Sequence, residues 1–270
     1  MNLVDIGVNL AHDSFDHDRE TLVERAIAAG VHRFIITGTD LTGSRKALQM
    51  SAENPAFFCT AGVHPHHAAE LDEAGVTALR VLLREDKAVA VGECGLDFFR
   101  NFAPPDTQRR AFARQLDLAA ETGKPLFLHQ RDAHDELMRM LRERRDELPA
   151  GGVVHCFTDG PAELADVLEA GFHIGITGWL CDERRGQALR DAVRQLPPDR
   201  FMVETDAPYL LPRDLPKGEL KAAGRRNEPR FLPHIVEKLA ELMGRDPVEV
   251  ATLSTANAER LFRIAPGVAG

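Results

Sequence analysis

A single α/β domain of the (β/α)8 TIM-barrel type is the fold this sequence predicts, and three observations carry the prediction. The chain has 270 residues, close to the roughly 250 typical of an eightfold β/α barrel. Short apolar runs rich in β-branched residues recur eight times, with amphipathic stretches between them. The polar residues that close those runs fall at their C-terminal ends, which is where barrels carry their chemistry.

The eight candidate strands are residues 3–8, 33–39, 57–63, 88–93, 125–129, 152–155, 172–177 and 201–206. Each is too short and too apolar for a half-exposed antiparallel strand, and Ala88-Val89-Ala90-Val91 fits a strand buried on both faces. The segments between them carry helix signals. In 106–122, Ala111, Phe112, Leu116, Leu118 and Ala119 recur at mostly helical spacing before Gly123 and Pro125 end the run. The stretch 18–29 stops at Gly30 in the same way. Strict alternation implies right-handed parallel crossovers, and eight such units close into a barrel more naturally than they form an open sheet. A doubly wound sheet is the rival, but Gly7-Val8-Asn9-Leu10 after the first strand has neither a G-x-G-x-x-G nor a Walker pattern. No internal repeat or linker interrupts the chain, so one domain over 1–270 is expected.

Hydrophobic residues make up 44% of the chain and charged residues 28%, enough apolar material for a core. No apolar run reaches the ~18 residues needed to cross a bilayer, and the first residues lack a signal-peptide layout. A cytoplasmic monomer with no membrane association is expected. The four cysteines, Cys59, Cys94, Cys156 and Cys181, form no C-x-x-C pair, which argues against a zinc knuckle or a disulfide framework. The net charge of -9, with 33 Lys and Arg against 42 Asp and Glu, gives no global pull towards nucleic acid. Any basic surface must be local. The best candidate is the segment 208–229, read as a long irregular loop after the eighth strand, with Arg213, Lys217, Lys221, Arg225 and Arg226. Barrels often bind phosphate in that region, although a solvated charged loop would look the same.

The strand-end groups are His64, Glu93, His129, His155 and Asp206. Two imidazoles and two carboxylates, from Glu93, His129, His155 and Asp206, make a nitrogen and oxygen site for a divalent metal such as Mg, Mn or Zn. One such residue alone would be a structural group; four at the same strand end are not. Asp206 is the general-base candidate, and His64 and His66 can donate to substrate oxygens. Phe98, Phe99, Phe102 and Trp179 lie in strand-end loops where bases can stack, or simply pack the loops.

Several blocks resemble the TatD-type metal-dependent nucleases. They are Gly62-Val63-His64-Pro65-His66, Gly92-Glu93-Cys94-Gly95-Leu96-Asp97, His129-Gln130-Arg131-Asp132, His155-Cys156-Phe157, Glu204-Thr205-Asp206-Ala207-Pro208-Tyr209-Leu210 and Arg226-Asn227-Glu228-Pro229. The resemblance runs from Val4 to about Phe262, and the stretch 176–186 is similar to the bacterial branch. It implies a 3'-5' exonuclease on single-stranded DNA and RNA, activated by a divalent cation, usually Mg, with a role in repair of oxidised DNA. It also implies Glu93, His129, His155 and Asp206 as metal ligands, with His64, His66 and Arg131 near the scissile phosphate. Where most of that family has a His-x-His pair, Gly7-Val8-Asn9 stands here. At most one tightly held metal is therefore expected. A small-molecule amidohydrolase or deaminase on the same barrel is the alternative; many of those use a strand-end Lys, and no Lys ends a strand here.

Overall fold

The computed structural model describes residues 1–265; the last five residues of the expected 1–270 domain lie outside the described residues. Eight strands form one sheet in chain order: β1 (Leu3–Val8), β2 (Val31–Ile36), β3 (Phe57–Ala61), β4 (Ala88–Asp97), β5 (Leu126–Arg131), β6 (Gly152–Val154), β7 (His173–Ile176) and β8 (Phe201–Val203). The pairs β3–β4, β4–β5, β5–β6 and β7–β8 are parallel. Every strand expected from the sequence is present, with ends moved by a few residues. Helices separate them as the alternation requires.

By their contacts the residues fall into two compact units. One comprises Ile36–His155 and Asp166–His173 and holds β3 to β6. Its organising helix is α1 (Pro105–Thr122), which starts with Pro in the first turn and ends at Gly123 in the left-handed region, φ 62°; both positions suit those residues. Its inner face buries Ala111, Phe112, Leu116, Leu118 and Ala119, but also two glutamines, Gln108 and Gln115. Gln115 accepts from the Val63 amide at 2.7 Å and donates to the Val63 carbonyl at 2.9 Å. Gln108 does the same for Asp97, at 2.8 and 3.0 Å. Each side-chain amide thus copies a strand neighbour for backbone at a strand end, and so fixes the turn after β3 and the close of β4.

The strand β4 runs to Asp97 rather than stopping at Glu93. Its ten residues are all buried, and its register with β5 shifts between Val91 and Cys94. A simple alternation, which would place Val89, Val91 and Glu93 on one face, therefore does not carry through Glu93, because an irregular pairing resets the pleat. Gly95, φ 137°, lies against β5 so closely that a Cβ there would come within 2.0 Å of the His129 carbonyl oxygen. Only glycine permits that approach.

The other unit comprises Met1–Ile35, Cys156–Ala165 and the chain from Ile174 onward, and holds β1, β7 and β8. Its core is lined by α2 (Leu232–Met243) and α3 (Pro247–Phe262), which bury Leu232, Ile235, Val236, Leu239 and Ala240, and Val250, Ala251, Ala258, Leu261 and Phe262. The expected irregular loop 208–229 contains a short helix, Lys217–Ala223, entered from Pro216 and left at Gly224, φ 66°. Proline before the first turn and a glycine stop are helix punctuation, and they lie within the same Pro and Gly content that made the segment look irregular.

Candidate metal centre

Three imidazoles converge on one carboxylate oxygen at the ends of β3 to β6. Glu93 Oε1 lies 2.9 Å from His129 Nδ1, 2.8 Å from His155 Nε2 and 3.4 Å from His64 Nε2. His64 caps the turn after β3, where its Nδ1 accepts from the His66 backbone amide at 3.0 Å. With Nδ1 accepting, the neutral His64 ring carries its proton on Nε2, facing Glu93, and His64, Glu93 and His129 have ligand atoms within 4.8 Å of one another. His129 is different. Its Nδ1 donates to Glu93, while its buried Nε2 makes no hydrogen bond and stands 3.4 Å from Asp97 Oδ2.

A buried nitrogen without a hydrogen bond is costly, and an imidazole whose other nitrogen is held by a carboxylate is a common metal-ligand arrangement. The donor set of imidazole nitrogen and carboxylate oxygen around Glu93, with His64 and His129 beside it and His155 on the same oxygen, fits a divalent cation. Asp97 is a further carboxylate at this cluster, beyond the set expected from the sequence. It lies four residues after Glu93 on a continuous strand, and its Oδ2 accepts from His66 Nε2 at 2.7 Å.

The electrostatics agree. Burial alone would raise the Glu93 carboxyl, but His155 and His64, with hydrogen bonds from His129 and His155, hold it well below its usual value. Burial likewise opposes ionisation of Asp97, and the nearby His129 ring, with hydrogen bonds from the Arg100 amide and His66, outweighs it and lowers the group. Burial pushes His64 down to about 3, against the pull of Glu93, so its ring is neutral at physiological pH. His129 is pushed down by burial and raised overall by the neighbouring carboxylates of Asp97 and Glu93.

Around this cluster sits an aromatic and basic rim. The Phe102 ring is 4.6 Å from the His66 ring, and the His66 ring is 4.2 Å from that of His64. Arg131, closing β5, lays its guanidinium 4.0 Å over Phe99. Phe99 and Phe102 are 53% and 68% exposed, which buried packing does not explain. Phe98 lies under Arg109 at 5.3 Å, and Trp179 packs against Arg185 at 4.3 Å.

The other unit holds the strand-end acids of β1 and β8. Asp206 Oδ1 accepts from Asn9 Nδ2 at 3.0 Å, and the Asp206 amide donates to the Gly7 carbonyl at 2.8 Å. Gly7 and Asn9, which stand in place of a His-x-His pair, thus bring a neutral amide that grips Asp206. Asp5, fully buried on β1, accepts from the Thr205 amide at 2.9 Å and the Thr205 hydroxyl at 2.5 Å. Burial, opposed by these bonds, pushes its carboxyl up to about 8. Glu204 accepts from the Cys156 amide at 2.6 Å. Arg226 does not reach outward as a phosphate-binding cation would: it pairs with Asp18 at 2.6 Å and Glu228 at 3.4 Å, and donates to the Ser14 carbonyl at 2.7 Å. Arg225 is exposed.

Strands and helices in (β/α)8 order, with imidazoles and carboxylates at the strand ends, define the class as a metal-dependent hydrolase of the TIM-barrel type. The chain belongs to the TatD related DNase family, whose model matches residues 4–263. It is 48% identical over 262 residues to the 3'-5' ssDNA/RNA exonuclease TatD of Citrobacter rodentium, covering 97% of this chain and 98% of that one. To the protein of the same name from a Rahnella species it is 50% identical over 266 residues, 97% and 98% of the two chains. The crystal structure of YJJV, a TatD homologue from Escherichia coli, superposes with a TM-score of 0.89 at 27% identity, over 97% of this chain and 98% of that one.

Proposed function

We propose that the chain is a divalent-metal-dependent 3'-5' exonuclease acting on single-stranded DNA and RNA in the cytoplasm, with Mg as the working cation and Mn or Zn able to replace it. The observation that carries this reading is the Glu93-centred cluster, three imidazoles on one buried carboxylate, rimmed by two exposed phenylalanines. Among the described residues no helix is long and apolar enough to cross a membrane. Glu93, His129 and His155 hold the cation, with Asp206 as the remaining carboxylate. Once bound, a divalent ion lowers the pKa of a water and polarises the phosphoryl oxygen.

The chain's own groups do the rest. Asp206 takes the proton from the attacking water. The Nε2 proton of His64 is directed by its backbone bond and donates to a phosphate oxygen, and Asp97 orients His66 beside it. Arg131 and Arg225 pair with phosphates, while Phe99 and Phe102 stack the terminal bases, which suits single strands whose bases are free to splay. Arg226 acts by holding the segment that carries Arg225.

The test is digestion of a 5'-labelled single strand with Mg or Mn. A ladder shortening from the 3' end is expected, abolished by chelation and by Glu93→Gln. Release of ammonia from nucleobases without shortening would instead make the chain an amidohydrolase.

A further inference from the structure

Within the unit that holds β1, β7 and β8, three side chains from separate stretches of the chain meet: Cys181, at the end of the turn after β7 (Gly178–Cys181), Asp214, in the segment after β8, and His234, in the first turn of α2. Their Sγ, carboxylate oxygen and ring nitrogen all lie within 4.8 Å of one another. His234 Nε2 and Asp214 Oδ1 are 2.7 Å apart. We propose that this trio is a second metal site, distinct from the nuclease centre, and that it takes zinc.

The chemistry of the donors selects the ion. A thiolate beside an imidazole and a carboxylate is a set for zinc, whereas Mg avoids sulfur and prefers oxygen. A tetrahedral zinc at its usual bond lengths spaces its donors about 3.3–3.7 Å apart, inside the span these three atoms occupy, so small side-chain rotations accommodate it. Water completes the fourth position. Burial and the neighbouring Asp214 raise the Cys181 thiol, so the proton is present until the cation arrives. On binding, zinc displaces the thiol proton to solvent as the sulfur–zinc bond forms; the proton between His234 Nε2 and Asp214 Oδ1 leaves as well, the neutral ring keeping its proton on Nδ1, and that hydrogen bond is exchanged for two ligand bonds.

The site clasps the segments that carry Arg185 and Arg213, both of which pair with Asp182, the residue after Cys181, at 2.7 and 3.2 Å. Zinc there fixes the basic segment after β8 without entering the reaction.

Cobalt separates this site from the nuclease centre, because only Cys181 brings sulfur. The chain loaded with Co(II) is expected to show a near-ultraviolet sulfur-to-cobalt charge-transfer band of about one site per chain. Cys181→Ser and His234→Ala are expected to remove the band, and Glu93→Gln to keep it. Cys156→Ser, which alters the half-buried thiol next to His155 in sequence, is expected to leave it unchanged. No band in the parent overturns the proposal, and so does a band that survives Cys181→Ser. The parent spectrum decides even if a variant misfolds.

Discussion

The two strand-end clusters handle negative charge in opposite ways. Around β3 to β6, the buried Glu93 keeps its charge because three imidazoles surround it. Around β1 and β8, three carboxylates, Asp5, Glu204 and Asp206, are held by amides and a hydroxyl. There burial holds a proton on Asp5, while Glu204 accepts from a backbone amide and Asp206 from the Asn9 amide. The first arrangement gathers nitrogen donors around one charged oxygen, as a cation site requires. The second brings oxygen donors, and the contrast predicts which carboxylates must be charged to work and which need only their shape.

The largest effect is expected at Asp206. Asp206→Asn keeps volume but removes the charge and the proton acceptor, so exonuclease turnover should fall at least ~100-fold with an unchanged circular dichroism spectrum. Near-parental turnover would mean that the acids of β1 and β8 are structural throughout.

Next comes the rim. Phe102→Ala should raise KM about tenfold on single strands, the size of one lost base–aromatic stack, with kcat little changed. Equal loss in kcat and KM would place the ring in the transition state rather than in binding.

The two arginines separate binding from bracing. Arg225→Ala should flatten the dependence of log affinity on log salt by about 0.7, one phosphate contact on a single strand, and leave the melting temperature alone. Arg226→Ala, which breaks pairs with Asp18 and Glu228, should lower stability by about 1 kcal/mol, as for a partly buried pair. If both variants change only the salt slope, Arg226 is released from its pairs when substrate binds.

The smallest effect is expected at Asp5, where charge is already absent. Its folded pKa of about 8 lies above the ordinary ~3.9 of the unfolded chain, so the folded state binds the extra proton. That contribution is complete below pH ~4 and is lost as pH rises through about 8. Asp5→Asn should leave neutral-pH activity near parental and flatten the fall of stability between those limits, measured by urea midpoints across pH. A variant whose pH profile matches the parent would show that Asp5 is ionised in the fold.

Much of this was legible in the residues. Short buried strands set off by helix signals announce themselves through composition and length, and strand-end His and Glu stand out against apolar neighbours. Asp97 did not stand out, because β4 is buried along all ten residues and a strand without an exposed face has no alternation from which to read register. The shift before Cys94 is a matter of pairing, which one strand's sequence does not encode. Arg226 read as a free cation since its partner Asp18 is 208 residues away in sequence. Gln108 and Gln115 carry no apolar signal, since they are buried for the backbone they serve at strand ends. The helix within 208–229 was hidden by the proline and glycine that bound it.

The contact between Asp5 and Thr205 spans 200 residues, and this gives the buried acid a part to play during synthesis. At ribosomal speeds of about 5–20 residues per second, β1 waits on the order of 10–40 seconds for β8 to be made. Throughout that wait the nascent strand Leu3–Val8, apolar apart from this one residue, presents an open edge that any passing strand could extend. Its carboxylate is then in water and charged, and a charge in the middle of an edge strand repels intruding backbones from an apolar environment. When Thr205 arrives with its amide and hydroxyl, the acid takes up a proton and the guard is stood down. The same side chain thus leaves the β8-facing edge of β1 charged while the chain is incomplete, with β2 on its other edge, and holds Thr205 afterwards.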